Sequence, residues 1–186
     1  MINHTYVSTN DEKIKKIAEN CGSRIINRPE DLSTDSATSE SAIIHALDEI
    51  EKTQKIKPDI VVFLQATSPL RKKNDIDDSI LKFINDNADS MFSVTKIEDL
   101  TLWVKEDDWK SLNFNYKKRL MRQDRPVNYI ENGSIYIFKP ELIRKCNNRI
   151  GGKISTFEMD FWQTWEIDTK YEIDLIEFFL AKNGIR

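Results

Sequence analysis

Apolar positions along this 186-residue chain recur in two rhythms that alternate from the N-terminus to about residue 97. Short runs of β-branched and bulky residues, Arg24-Ile25-Ile26, Ile60 to Gln65 and Asp89 to Ile97, read as strands. Between them lie segments whose apolar residues return every three or four positions. Asp11 to Asn20 places Ile14, Ile17 and Ala18 on one face, with Thr9 or Asn10 to cap it and Gly22 to end it. Ser39 to about Lys52 lines up Ala42, Ile43, Ala46, Leu47 and Ile50, with Thr38 or Ser39 as cap. Asn74 to about Asn87 turns Ile76, Ile80, Leu81 and Ile84 inward. This β-α-β-α-β order predicts an α/β fold with a mostly parallel sheet and crossover helices. Ile60 to Gln65, bounded by Pro58 and the turn Ala66-Thr67-Ser68-Pro69, has the composition of a strand buried on both faces.

From Leu100 to Arg125 the rhythm breaks. Leu102, Trp103, Val104, Trp109 and Phe114 alternate with charges without a clean period, the pattern of a flap or a subunit contact. Order then returns. Ile135 to Phe138 reads as a strand, Pro140 to Asn147 as a short helix with Pro in its first turn, Gly151-Gly152 as a turn and Ile154 to Met159 as a strand. Thr169 caps a last helix, Tyr171 to Lys182, with Ile173, Ile176, Phe179 and Leu180 inward and Gly184 as its stop.

The length fits a single domain, residues 1–186, and 39% hydrophobic against 32% charged residues describes a globular chain. A net charge of -3 with both signs interspersed gives no general attraction to nucleic acid. No apolar run approaches the roughly 20 residues of a membrane span. Cys21 and Cys146 lack CxxC spacing and read as reduced thiols, which makes the cytoplasm the expected compartment.

Chemistry concentrates at a few places. Gln65, Thr67, Ser68 and Arg71 follow a strand at its carboxyl end, where ligands sit in open α/β sheets. Glu166 and Asp168 are two residues apart, which on an extended segment puts both carboxylates on one face. Such a pair suits Mg²⁺, held by one or two acids plus substrate phosphates. Equally, Glu166 is solvated and Asp168 helps Thr169 cap the next helix. Arg28, at a strand end before Pro29, can grip a phosphate or base bidentately or lie on the surface. The basic run Lys117 to Arg125 reads first as a solvated face. Asn132-Gly133 can be a hairpin turn, and Tyr136 a core aromatic. His4 and His45 form no catalytic constellation, and neither a Gly-x-Ser-x-Gly nor a phosphate-gripping P-loop is present.

Taken in register, Arg28-Pro29-Glu30-Asp31-Leu32, Thr34 to Ser39, Gln65 to Arg71, Arg122-Gln123-Asp124, Glu131 to Ile137 and Trp165 to Thr169 resemble the acylneuraminate cytidylyltransferase family, the CMP-sialic acid synthetases. The resemblance spans nearly the whole chain. It implies a three-layer α/β fold of the nucleotide-diphospho-sugar transferase type. It further implies attack of a nine-carbon sugar acid's anomeric hydroxyl on the α-phosphorus of CTP, with Mg²⁺ as cofactor and pyrophosphate released. Arg28, Ala37 and Ser39 would line the cytosine and ribose pocket. Arg122 and Gln123 would hold the sugar acid, with Gln65, Asn132 and Tyr136 adding hydrogen bonds. Asp168 and Glu166 would hold the metal, Glu standing where the family has Asp. Asp168, Arg122 and Gln65 would carry the catalysis, and the 100–125 excursion would build a C₂ homodimer that closes the sugar site. The family's first strand and its A-R-x-G-S-K-type loop have no counterpart ahead of Tyr6. From this follow the expectations of weak CTP turnover by this chain and of an open sheet edge near Val7 and Val61. The competing expectation is a non-catalytic, dimerising, sugar-acid-binding remnant.

Overall fold

The computed structural model describes residues 1–34, 36–97 and 99–185 of the chain. Asp35, inside the Thr34 to Ser39 block of the resemblance, therefore lies outside the described residues. The chain divides into two compact units. The first comprises Met1–Phe63, Asp77–Met91 and Tyr136–Ser155, the second Leu64–Ile76, Phe92–Ile135 and Thr156–Arg186.

The alternation expected from the sequence is present. The chain runs β1 (Tyr6–Thr9), α1 (Glu12–Asn20), β2 (Arg24–Asn27), α2 (Ser39–Gln54), β3 (Val61–Leu64), α3 (Asp75–Asn85) and β4 (Ser90–Ile97). Then come β5 (Trp103–Lys105), β6 (Trp109–Ser111), β7 (Asn128–Phe138), α4 (Pro140–Cys146), β8 (Ile154–Met159) and α5 (Lys170–Lys182). β1 and β2 form a parallel pair in register Tyr6 with Arg24 through Thr9 with Asn27. A four-stranded sheet has the order β3-β7-β4-β8, and β5 and β6 form a separate antiparallel pair. The order of non-consecutive strands gives the α/β architecture, with a mixed central sheet.

Several local expectations are corrected. α1 is capped by Asp11, whose carboxylate accepts the Lys13 and Ile14 N–H groups at 2.7 and 2.9 Å. Thr9 instead accepts the Asp11 N–H. Of the expected inward face only Ala18 is buried; Ile14 and Ile17 remain 49% and 64% exposed. In α3 the buried stripe is Ser79, Ile80 and Phe83, while Leu81 and Ile84 face out. At 100° per residue, burial of Ser79 and Phe83 centres the stripe on their side of Ile80, and Leu81 falls on the opposite face. β3 is not covered on both faces. It is an edge strand of its sheet, with β7 as its hydrogen-bonded neighbour, and Leu64 is exposed. In α5, Ile176 is buried and Ile173 exposed. Asn132-Gly133 is no hairpin turn: it lies inside the eleven-residue strand β7, where Gly133 takes a left-handed φ of +66°.

In the first unit, Ile26, Ile43, Leu47, Ile50, Ile80, Phe83 and Met91 form the apolar interior. Its loop at Gly152 is locked to Asp89. The Lys153 N–H donates to the Asp89 carboxylate at 2.9 Å and the Asp89 N–H to the Lys153 carbonyl at 2.8 Å. A Cβ on Gly152 would lie 2.6 Å from that carboxylate and, at φ +62°, would be strained as well. In the second unit, Gln163 is buried and donates to the Leu70 carbonyl (3.1 Å) and the Asp75 carboxylate (2.6 Å). These bonds fasten the segment before Glu166 to the segment after Gln65. α5 opens with Thr169 and Glu172 capping reciprocally.

Candidate functional site

Within the second unit, the end of β3 and the 165–168 segment converge. The Ile167 N–H donates to the Thr67 carbonyl at 2.8 Å. Beside that backbone bond, the Gln65 amide nitrogen donates to Glu166 Oε2 and to Thr67 Oγ1, each at 3.1 Å. The Glu166 carboxylate also lies against Gly133, where a Cβ would stand 2.9 Å from Oε1. Gly133 thus leaves room for the longer acid.

Arg71 ties the end of β3 to the interior of β7. Its Nη2 donates to the carbonyls of Gln65 (3.0 Å) and Ser134 (2.7 Å). Burial lowers its pKa to about 10, against the opposing pull of Asp75, so the guanidinium remains charged at neutral pH. Arg71 Nε and the hydroxyls of Ser68 and Ser134 are buried without a protein partner.

Asn132 is 1% exposed. Its amide donates to Thr95 Oγ1 at 3.0 Å, and its carbonyl oxygen accepts from Ser93 Oγ (2.5 Å) and the Ser134 N–H (3.3 Å). Ser93 Oγ in turn accepts the Ile135 N–H at 2.8 Å. These bonds support the left-handed bend at Gly133. Ser93 and Thr95, evenly spaced on β4, did not stand out in the sequence, because a hydroxyl in a strand carries no pattern.

The expected metal pair lies on the 165–168 segment. Glu166 is partly buried, while Asp168 is exposed two residues on. Two carboxylates on an extended segment, with further positions left to water and phosphate oxygens, match the donor set that Mg²⁺ takes. Among the described residues, no group of three or more His, Cys, Asp or Glu gathers as a metal cage.

Also in the second unit, Arg122 and Gln123 line a cavity of about 300 Å³ with Lys96, Ile97, Arg125, Pro126 and Val127. Lys96 and Arg125 were not singled out from the sequence. Arg122 pairs with Asp99 at 3.3 Å, both side chains well exposed. Arg125 Nε donates to the Leu120 carbonyl at 3.2 Å. The lining mixes basic and polar side chains with apolar Ile97, Pro126 and Val127.

The first unit holds the expected nucleotide residues and Tyr136. Arg28 donates to Ser8, through Nε to the hydroxyl at 3.2 Å and through Nη2 to the carbonyl. Ala37 is partly buried, and Ser39 is exposed at the first position of α2. Tyr136 is 3% exposed, with Phe63 at 6.0 Å and the Arg149 guanidinium 4.3 Å over its ring. Arg149 is paired with Glu40 at 2.6 Å. Neither Glu40 nor Arg149 was legible in the sequence, since they lie 109 positions apart.

Comparison with known proteins gives consistent results. The cytidylyltransferase family profile matches residues 1–183. The chain is 25% identical to the post-translational flagellin modification protein B of Campylobacter coli, covering 100% of this chain and 80% of that protein. It is 29% identical to N-acylneuraminate cytidylyltransferase A of Danio rerio, covering 94% of this chain and 40% of the fish protein. Among solved structures, CMP:2-keto-3-deoxy-manno-octonic acid synthetase complexed with CTP superimposes with a TM-score of 0.63 at 14% identity, over 97% of this chain and 82% of that one. The 4-diphosphocytidyl-2C-methyl-D-erythritol synthase of Anaerococcus prevotii does so with 0.58 at 17% identity, over 98% and 79%. Both structures share the fold.

Proposed function

The chain belongs to the cytidylyltransferase family, and from that premise we propose that it transfers CMP from CTP to a nonulosonic, sialic-type sugar acid. The observation that carries the substrate class is the cavity around Arg122 and Gln123, where Lys96 and Arg125 add positive charge to a pocket of about 300 Å³. A guanidinium fork beside further cations is the natural partner of a sugar carboxylate. The relatives support the same reading through their names, which include N-acylneuraminate cytidylyltransferases.

In the proposed reaction the anomeric hydroxyl oxygen forms a bond to the α-phosphorus of CTP. The bond from that phosphorus to the β-phosphate oxygen breaks, pyrophosphate leaves with the electron pair, and the hydroxyl proton passes to solvent. Arg122 and Gln123 bind the acid, Gln65 orients the sugar, and in the first unit Arg28, Ala37 and Ser39 receive the nucleotide. The Asn132 amide, occupied inside β7 and β4, supports the sugar side by holding the strand's bend. Positioning of this kind supplies most of the catalysis where no covalent intermediate is required. Glu166 and Asp168 would hold magnesium, which when bound neutralises triphosphate charge and stabilises the leaving group.

A homodimer is part of the proposal. Leu100, Leu102, Trp109, Leu112, Met121, Val127 and Tyr129 are all exposed in and just after the excursion. That much apolar surface in one stretch marks an interface. A cytoplasmic location agrees with free, exposed Cys21 and Cys146. Among the described residues no helix is long and apolar enough to cross a membrane.

The proposal is tested by calorimetric binding of an N-acylneuraminic acid to the 186-residue chain and to Arg122→Ala. Binding that falls at least about tenfold in the variant is expected. Equal affinity of the two proteins would remove the cavity from the sugar site.

A further inference from the structure

The Gln65 amide has two N–H groups, and both are spent within the protein. One meets Glu166 Oε2 and the other Thr67 Oγ1, each at 3.1 Å. A carboxylate accepts hydrogen bonds and cannot donate them, so the amide must turn its nitrogen toward Glu166. The arrangement is held from several sides. The Gln65 carbonyl is fixed by Arg71 at 3.0 Å, and the Thr67 carbonyl accepts the Ile167 N–H at 2.8 Å. The Glu166 carboxylate is backed by Gly133, at 2.9 Å from where a side chain would begin. An aspartate at 166 is one methylene shorter and falls short of this contact.

We infer that Glu166, acting with Thr67, fixes Gln65 as an acceptor, so that Gln65 selects a sugar acid carrying a hydrogen-bond donor at the position it faces. The donor is a hydroxyl or a secondary amide N–H. Glu166 is thereby a positioning residue for Gln65 in addition to any role toward an ion. The inference rests on the sugar-acid reading above, and it adds the polarity with which Gln65 reads the sugar. An analogue that presents an ether, a carbonyl or bare carbon there leaves the Gln65 oxygen unpaired on binding, which is where discrimination arises.

Two measurements test it. The first uses the ¹⁵N-labelled chain without any ligand, with the Gln65 side-chain amide identified by its loss in Gln65→Glu. Glu166→Asp and Thr67→Val should each shift that amide pair and speed its exchange with water, whereas Asp168→Asn should leave both unchanged. A pair indifferent to both Glu166→Asp and Thr67→Val overturns the inference.

The second compares kcat/KM for an N-acylneuraminic acid with those for its analogues each lacking one hydroxyl or N–H donor. The parent chain should disfavour one analogue by about tenfold or more, and Glu166→Gln, whose amide can donate as well as accept and so no longer dictates the orientation of Gln65, should bring that ratio within about threefold. Loss of an ion affects both sugars alike and cancels in the ratio. A ratio unchanged in Glu166→Gln, or no discrimination by the parent chain, overturns the inference. If neither sugar acid binds nor reacts, it is the functional reading that fails, and the amide spectrum still decides the orientation of Gln65.

Discussion

Gly133 is the residue on which the second unit's site turns. It adopts φ +66° and lies so close to Glu166 that a Cβ would come within 2.9 Å of Oε1. Gly133→Ala should therefore cost about 1–3 kcal/mol from backbone strain and displace the carboxylate from Gln65. A thermal melt reads the first effect, and an unchanged midpoint would contradict it. Asn132 makes the neighbouring case. Its three hydrogen bonds are buried, so Asn132→Leu leaves Ser93, Thr95 and the Ser134 N–H without their partner. A loss of about 2–4 kcal/mol is expected by urea titration.

Asp89 sets a pH dependence at the same scale. Its hydrogen bond from Lys139 at 2.7 Å, and after it the Lys153 N–H, hold the carboxyl below the ordinary carboxylate range. The folded pKa is the lower one, so the unfolded chain takes up the proton first as pH falls. The stabilisation is complete above the ordinary range near pH 4 and is lost below it. Asp89→Asn should be less stable than the parent at pH 7 and approach it as pH falls below the ordinary carboxylate range. A constant difference across that range would exclude the linkage.

At the scale of elements, what the sequence made legible depended on whether one local pattern sufficed. The helix termini were readable because caps are chemical. Thr38 and Thr169 stand where expected, and at α1 the cap moved by only a residue or two, to Asp11. Asp11→Ala should lower stability by about 1 kcal/mol, checked by a denaturant midpoint; no change would assign the cap to Thr9 after all. Helix faces were less legible. In α3 adjacent Ile80 and Leu81 fit an inward stripe equally well, and buried Ser79, which decides between them, is invisible to a hydrophobic pattern. β3 has the composition of a central strand, yet composition does not count its neighbours, and the sheet order leaves it at an edge. For the site, the two-residue spacing placed Glu166 and Asp168 on one segment. Nothing in spacing brings Glu166 to Gln65, 101 positions away; the resemblance placed Gln65 at the sugar and Glu166 at the metal, and the fold supplied the contact between them.

For the whole molecule, the excursion is the part whose own contacts fall short of its apolar content. Trp103 packs against Phe114 at 5.2 Å and Tyr116 at 5.4 Å, so part of the aromatic set folds back on itself. Trp109 and Met121 nonetheless remain 63% and 69% exposed. A dimer of twice the 21.8 kDa chain mass is expected by light scattering at micromolar concentration, and Trp109→Ser with Met121→Ser should halve that mass. A parent chain that is strictly monomeric would remove the shared sugar site from the proposal. The central claim, transfer of CMP to a sugar acid, is tested most directly by pyrophosphate release from CTP and Mg²⁺ with and without an N-acylneuraminic acid. The account predicts release that requires the sugar acid, yields the CMP-sugar and disappears in Asp168→Asn. Release indifferent to the sugar acid, or turnover unchanged in Asp168→Asn, would contradict it.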